Sequence, residues 1–285
     1  MKLDYHLLDV FTRQRFTGNP LAVFVDQEVV DAERMQSVAR ELNLSETVFV
    51  SRPVDAPGWP TRIFTPSNEL PFAGHPTVGT AVLLGSLGLA SQEVVLAEGV
   101  GDVRVGIVQS GDGVWSGELS TATLPVCVET LTPETAAAAL DLAVEDLHPG
   151  LVPAVWDCGV AFAVIAVRDV ATLARARGVP VIAPGLYVVA PVENALGATW
   201  RARAFAPTFG IAEDPATGSA AAAFAGVLAQ LDALAGVDRF EITQGVEMGR
   251  RSELVLSVDR SGEGALVAVR VGGEAVVIGG GTLRL

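Results

Sequence analysis

Residues 62–81 read RIFTPSNELPFAGHPTVGTA, and residues 203–220 read RAFAPTFGIAEDPATGSA. Arg62-Ile-Phe64-Thr-Pro66 in the first stretch matches Arg203-Ala-Phe205-Ala-Pro207 in the second. Pro76-Thr-Val-Gly79-Thr80-Ala81 then matches Pro215-Ala-Thr-Gly218-Ser219-Ala220. The phenylalanines lie 141 positions apart and the glycines 139, so a two-residue deletion reconciles the copies. Each copy reads as a short strand, a loop, and a glycine at the start of an uncharged helix. Two copies are too few for a solenoid. They predict two related lobes about a pseudo-twofold axis with a cleft between them; the competing explanation is chance similarity of two Ala/Gly-rich helices. If both helix N-termini point into that cleft, their free amides and dipoles make an anion site.

Outward from these stretches the chain alternates strands with a few helices. Leu3–Phe11 and Leu21–Val25 read as strands around a loop. Asp31 has the character of an N-cap, and Met35, Val38, Ala39 and Leu42 follow at helical spacing up to Asn43. Val48–Val50 and Arg62–Phe64 read as short strands, and His75–Gly88 as a helix apolar nearly all round. Asp102–Gln109 and Val114–Leu119 suggest a hairpin. Thr132 and Pro133 open an Ala-rich helix running to Leu142. Val160–Val167, Leu186–Pro191 and Arg201–Phe205 read as strands, Thr217–Leu231 as a second nearly uncharged helix, and the tail from Phe240 as strands with glycine turns.

Composition narrows the function. The chain has 285 residues, half of them hydrophobic, and a formal net charge of −14. That is enough for one large domain or two ordinary ones. A strongly acidic surface repels phosphate backbones and anionic bilayers, so nucleic-acid and membrane partners are disfavoured. Leu70–Gln92 lacks Asp, Glu, Lys and Arg over a length that could span a bilayer, but it holds Pro71, His75, Pro76 and four glycines. A buried helix with a loop before it is the better reading. The two cysteines, Cys127 and Cys158, are not spaced as a metal knuckle and read as small core residues in a reducing cytoplasm. The N-terminal stretch carries Asp4 and Asp9, which argues against a signal peptide.

Familiar catalytic signatures are missing. No G-x-S-x-G elbow, H-E-x-x-H, Walker loop or dinucleotide fingerprint occurs, and the histidines His6, His75 and His148 are scattered. Neither a metal nor a cofactor is expected. What is left is carboxylates, one well-placed histidine, hydroxyls and backbone amides, an inventory suited to proton transfer. Glu46 follows a helix and precedes an apolar strand, where desolvation raises a carboxyl pKa; the plain alternative is a solvated turn glutamate. His75 stands before the first uncharged helix, as an acid/base or anion donor, or as a histidine bonded to loop backbone. Gly74 beside it allows close backbone approach. Asp214 can cap the second helix or act as another acid/base. Gly218 and Ser219 can offer amides and a hydroxyl to a substrate carboxylate, or cap the helix.

These residues also carry a resemblance. DVFTRQRFTGNPLAVFVD, LNLSETVFV, RIFTPSNELPFAGHPTVGTA, EDPATGSA and QGVEMGR follow the order and spacing of the phenazine-biosynthesis isomerase (PhzF-like) family, from the first strand to about Gly249. The resemblance implies an α+β fold like that of diaminopimelate epimerase, with two similar lobes, each a sheet wrapped around a central helix. It places residues 1–118 and about 275–285 in the N-terminal lobe and 119–274 in the C-terminal lobe, with the active-site cleft between. It assigns catalytic roles to Glu46, His75 and Asp214, and substrate binding to Gly74, Gly218 and Ser219. The implied activity is a cofactor-independent isomerase acting on a small carboxylate, in a cytoplasmic homodimer. The alternatives are a two-base epimerase of an amino or hydroxy acid and a non-catalytic carboxylate-binding protein. Two departures stand out. Related epimerases use paired cysteines where this chain has GHPT and PATGS, and family members usually carry proline where this chain has Arg251.

Overall fold

The computed structural model of the chain describes residues 2–25, 30–53, 58–111, 113–179, 183–193, 196–231 and 236–284. By internal contacts the chain divides into two units, Met1–Leu119 with Gly272–Leu285, and Ser120–Val271.

The first unit opens with β1 (Lys2–Val10) and β2 (Asn19–Val25), paired antiparallel with His6 opposite Val23. The helix α1 (Ala32–Leu42) crosses over to β3 (Glu46–Val50), which therefore runs parallel to β2 with Glu46 opposite Leu21. Asp31 starts α1 by accepting the Arg34 N–H, and Asn43 ends it in the left-handed region. Next, β4 (Trp59–Phe64) pairs antiparallel with β3, and the short β5 (Glu69–Leu70) folds back on β4. After α2 (Gly74–Ser86), β6 (Glu93–Glu98) returns parallel to β4. The strands β7 (Gly101–Gly111) and β8 (Val114–Ser120) follow antiparallel, each on its predecessor.

In the second unit come β9 (Val126–Thr130), α3 (Pro133–Ala138), β10 (Ala154–Asp157), β11 (Ala161–Ala166) and α4 (Val170–Arg175). They are followed by β12 (Gly185–Pro191), β13 (Thr199–Ala206), β14 (Ile211–Asp214), α5 (Gly218–Ala229), β15 (Arg239–Gln244) and β16 (Ser252–Arg260). The long β17 (Leu266–Arg284) pairs with β8 and, antiparallel, with β1. The circuit β1-β2-β3-β4-β6-β7-β8-β17 thereby returns to β1.

The order and pairing sense of the first unit recur in the second. The pair β10–β11 is antiparallel, β11–β12 parallel, β12–β13 and β13–β14 antiparallel, β13–β15 parallel and β15–β16 antiparallel. The shared Arg-x-Phe-x-Pro motif makes the same contacts twice. Arg62 grips Glu69 with two hydrogen bonds of 2.7 Å and lies 5.2 Å from the Phe64 ring centroid. Arg203 grips Glu213 at 2.8 and 2.9 Å and lies 4.8 Å from the Phe205 centroid. In both copies the arginine joins the motif strand to the short strand that folds back on it.

Apart from exposed Ser86 at the end of α2, the two uncharged helices are buried or half-buried along their length, which their sequences allow because they carry no charged side chain after the first turn. α2 packs against β1, β2, β3, β6 and β7, and α5 against β9, β10, β11, β12 and β16. Gly79 lets α2 approach its sheet: a Cβ there would stand 2.6 Å from Leu21 and 2.7 Å from Val10 side-chain carbons. α1 lies over its own cluster, Leu3, Phe24, Val38, Ala39, Phe49 and Phe64.

Several expectations need correction. The helix after Thr132 stops at Ala138 rather than Leu142, because Asp141 turns left-handed (φ 54°) and the Leu142 N–H bonds back to the Ala137 carbonyl, a Schellman-type closure. Cys158 is buried, but Cys127 is exposed on β9, whose five residues all face solvent. The strands β6, β9 and β10 and the helix α4 were not anticipated. Among the described residues no helix is long and apolar enough to cross a membrane. The segment around Arg251 closes without proline: the N–H groups of Met248 and Arg250 both return to the Gly245 carbonyl, and Arg251 pairs with exposed Glu253 at 3.2 Å.

Candidate active site

The first unit brings Glu46 and His75 together. Glu46 is not in the connection before β3; it is the first residue of that strand, held by the parallel pairing with β2, and 8% exposed. His75 is the second residue of α2 and 5% exposed. Its Nδ1 lies 3.4 Å from Glu46 Oε2 and 3.3 Å from the Nδ2 of buried Asn19, the first residue of β2. Burial drives the His75 pKa down to about 3, against a smaller upward pull from its hydrogen bond to the Pro20 backbone. The ring is therefore neutral at physiological pH, and its contact with Glu46 is between a carboxyl group and an imidazole rather than between opposite charges. Gly74, half-buried, is the residue that starts α2.

The second unit brings together Asp214, Gly218 and Ser219. Asp214 ends β14 and is 7% exposed. Its Oδ2 accepts the Thr217 hydroxyl at 2.6 Å, and its backbone carbonyl accepts Gln244 Nε2 at 2.8 Å. Thr217 is the N-cap of α5, and its side chain makes no cap hydrogen bond. Gln244 completes the arrangement: Nε2 also donates to Thr217 Oγ1 at 3.0 Å, and Oε1 accepts the Thr217 N–H at 3.3 Å. Gly218 and Ser219 are the first two residues of α5. Amides of a helix's first turn have no intrahelical acceptor and present a partial positive charge.

Three residues that sequence reading did not single out belong to these clusters. Asn19 carried a signal, as the polar residue inside GNPLAVF. Gln244 carried one too, as a polar residue in phase with buried Phe240 and Ile242 on an alternating strand. Tyr187 carried none. It is fully buried on β12, opposite Ala204, which in turn stands opposite Asp214 on the next strand. Burial, and to a lesser degree the Asp214 charge, push its phenol pKa far above the ordinary value, so it is a neutral hydroxyl. Among the described residues no group of three His, Cys, Asp or Glu stands together as metal ligands.

The comparisons with known proteins agree with this architecture. The model of the phenazine biosynthesis-like protein family matches residues 8–281. An uncharacterized isomerase of Mesorhizobium japonicum is 39% identical, with 98% of each chain covered. The trans-2,3-dihydro-3-hydroxyanthranilate isomerase of Pseudomonas aeruginosa is 34% identical, with 99% of each covered. In fold, the chain is similar to a crystal structure of a Bacillus anthracis phenazine biosynthesis protein of the PhzF family, with a TM-score of 0.88, 22% identity and full coverage of both chains. On these matches along its whole length, the chain belongs to the phenazine biosynthesis-like protein family and is an enzyme of the isomerase class.

Proposed function

We propose that this isomerase moves a proton between two carbons of a small carboxylate substrate, with Glu46 as the proton carrier. The observation that supports the reading is the buried contact of Glu46 with a histidine held neutral at the start of α2. A carboxylate in that setting can take a proton from carbon while the C–H electron pair moves into a new double bond. It then returns the same proton at the far end of the π-system, so no oxidant or reductant is consumed. His75, packed 3.4 Å from the Glu46 oxygen and neutral, brings no positive charge that would hold Glu46 ionised. Asp214, locked by Thr217 and Gln244, orders the start of α5. The amides of Gly218 and Ser219, with the Ser219 hydroxyl, bind the substrate carboxylate. Gly74 leaves room for the substrate beside His75. The reading needs both clusters to act on one substrate molecule, in two lobes each built as a sheet around its central helix, as in diaminopimelate epimerase.

A two-base epimerase would place matched acid/base groups in the two repeats. Phe64 pairs with Thr47, and its repeat mate Phe205 pairs with Leu186. One residue earlier on each strand, the counterpart of Glu46 is therefore Gly185. Glu46 thus has no titratable mate, whereas His75 and Asp214, each just before the matched Pro76 and Pro215, are the pair a two-base epimerase would use. The P. aeruginosa relative's trans-2,3-dihydro-3-hydroxyanthranilate is the first substrate to try. Glu46→Gln keeps shape and removes the transferable proton, so turnover should fall by about 10²–10⁴-fold with binding retained. Near-normal turnover by that variant would move the chemistry to Asp214 or His75.

A further inference from the structure

The repeat extends to a residue pair outside the clusters above. The strands β6 and β15 hold equivalent places: Trp59 and Trp200, each three residues before the motif arginine, pair with Leu96 and Ile242. Two residues further on, Glu98 and Gln244 end their strands, and each is followed by Gly-Val. Both glycines back onto a proline that precedes the buried helix or its first turn. A Cβ on Gly99 would come within 2.8 Å of Pro71 Cα, and one on Gly245 within 2.7 Å of the Pro215 carbonyl oxygen. Both polar side chains turn inward, 8% and 0% exposed, and both meet a threonine near the start of the helix.

The proton count favours a carboxylic acid over a carboxylate. Thr77 Oγ1 lies 2.8 Å from the Ala73 carbonyl oxygen and 2.7 Å from Glu98 Oε1. The hydroxyl has one proton and the carbonyl can only accept, so against a carboxylate that proton must be shared between Ala73 and Glu98. A proton on Glu98 completes both contacts, with Thr77 donating to Ala73 and accepting from Glu98. In the other unit Gln244 Nε2 likewise donates to Thr217, whose own proton goes on to Asp214. Among the described residues Glu98 Oε2 has no hydrogen-bond partner, a position an ionised oxygen would occupy only at high cost.

We propose that Glu98 is a neutral, proton-donating carboxylic acid that takes the place of an amide, and that through Thr77 it fixes the first turn of α2 on which His75 sits. It is a positioning residue. Its effect on turnover rests on the reading of His75 given above; its protonation does not. Burial raises the Glu98 pKa to about 8; a Thr77 hydroxyl donating to a carboxylate there would pull the other way, and its donation to Ala73 instead removes that pull. The groups around it add no charge. The titratable residue of α2 is His75, which is neutral. The cross-strand partner of Glu98 on β7 is Gly101, while Asp102 and Arg104 stand opposite Ala97 and Val95, on the other face of β6. On β4, Arg62 is engaged with Glu69.

The test compares the full chain with its E98Q, E98A and E46Q variants. Folded Glu98 keeps its proton to about pH 8, whereas the unfolded chain releases it near 4.5, so wild-type stability falls as pH rises between those values. The melting temperature of E98Q should pull ahead of wild type across that window and run parallel above it. Infrared spectra should show a protonated carboxyl at pH 7 that persists in E46Q and disappears near pH 8. Turnover of trans-2,3-dihydro-3-hydroxyanthranilate should survive in E98Q and drop in E98A. A pH-independent gap between E98Q and wild type, or no protonated carboxyl at pH 7 in E46Q, overturns the proposal. Should E98Q not fold, the infrared titration of wild type and E46Q decides alone. Absent turnover in wild type, with the infrared and stability results intact, would instead overturn the substrate reading.

Discussion

The two motif arginines offer a matched experiment, because the repeat gives them the same partner geometry in different surroundings. Arg62 and Glu69 are 37% and 41% exposed along their side chains, and Arg203 and Glu213 are 10% and 19% exposed. Arg203 has further duties. Its Nη1 donates to the carbonyls of Leu173, Ala174 and Ala176, at 3.2, 3.2 and 2.8 Å, closing the C-terminal end of α4. Arg62→Met removes a solvated pair, worth about 0–1 kcal/mol. Arg203→Met leaves a largely buried carboxylate without its partner and takes a donor from three carbonyls, of which Leu173 keeps the Ala176 N–H, and should cost about 3–5 kcal/mol. Urea denaturation followed by circular dichroism measures both, provided the transitions keep the wild-type slope. The double variant Arg203→Met/Glu213→Leu should recover most of the loss, since replacing both charges removes the stranded one. Equal costs for Arg62→Met and Arg203→Met would show that burial does not set the worth of the pair.

Other predictions are simpler to run. Tyr187→Phe should leave stability unchanged or slightly raised, because among the described residues the phenol oxygen has no hydrogen-bond partner to lose; a drop above about 1 kcal/mol on melting would point to one. A maleimide should label the native chain once, at exposed Cys127. Cys158 is buried with a raised pKa and donates to the Thr123 carbonyl, so rapid double labelling in the mass spectrum contradicts that environment. Gln244→Ala should destabilise by about 1–3 kcal/mol, because it strands the Thr217 amide in the interior and takes a donor from the Asp214 carbonyl; a fully stable variant would show that water replaces the lost amide.

Much of the architecture could be read from local pattern. Capping residues such as Asp31 and Thr132 act within a few positions of themselves, so their helices start where chemistry says they should. The uncharged stretches after His75 and Thr217 announce burial by composition. Less legible were features settled by distant partners. β9 is exposed throughout and exists because β10 pairs with it, so no alternation of apolar residues marks it. Glu46 lies inside β3 because β2 extends the pairing back to Leu21. Tyr187 joins Asp214 only through cross-strand register, which single-sequence periodicity does not report. The Glu98–Gln244 correspondence was present in the letters EGV and QGV, but those become a signal only once β6 and β15 are known to hold equivalent places.

The pairing of β1 with β17 has a consequence for how the protein is made. Lys2 is opposite Arg284, so β1 can pair with β2 early but waits for this second neighbour until 282 further residues have been added. At about 5–20 residues per second that is a wait of roughly 15–60 s. Ser120–Val271 is contiguous and can finish folding in the meantime. Met1–Leu119 cannot, since Gly272–Leu285 belongs to it. Nascent chains stalled short of Gly272 should therefore carry a protease-resistant second unit and a first unit with an unfilled sheet edge, the kind of surface that chaperones hold and that aggregates when they do not.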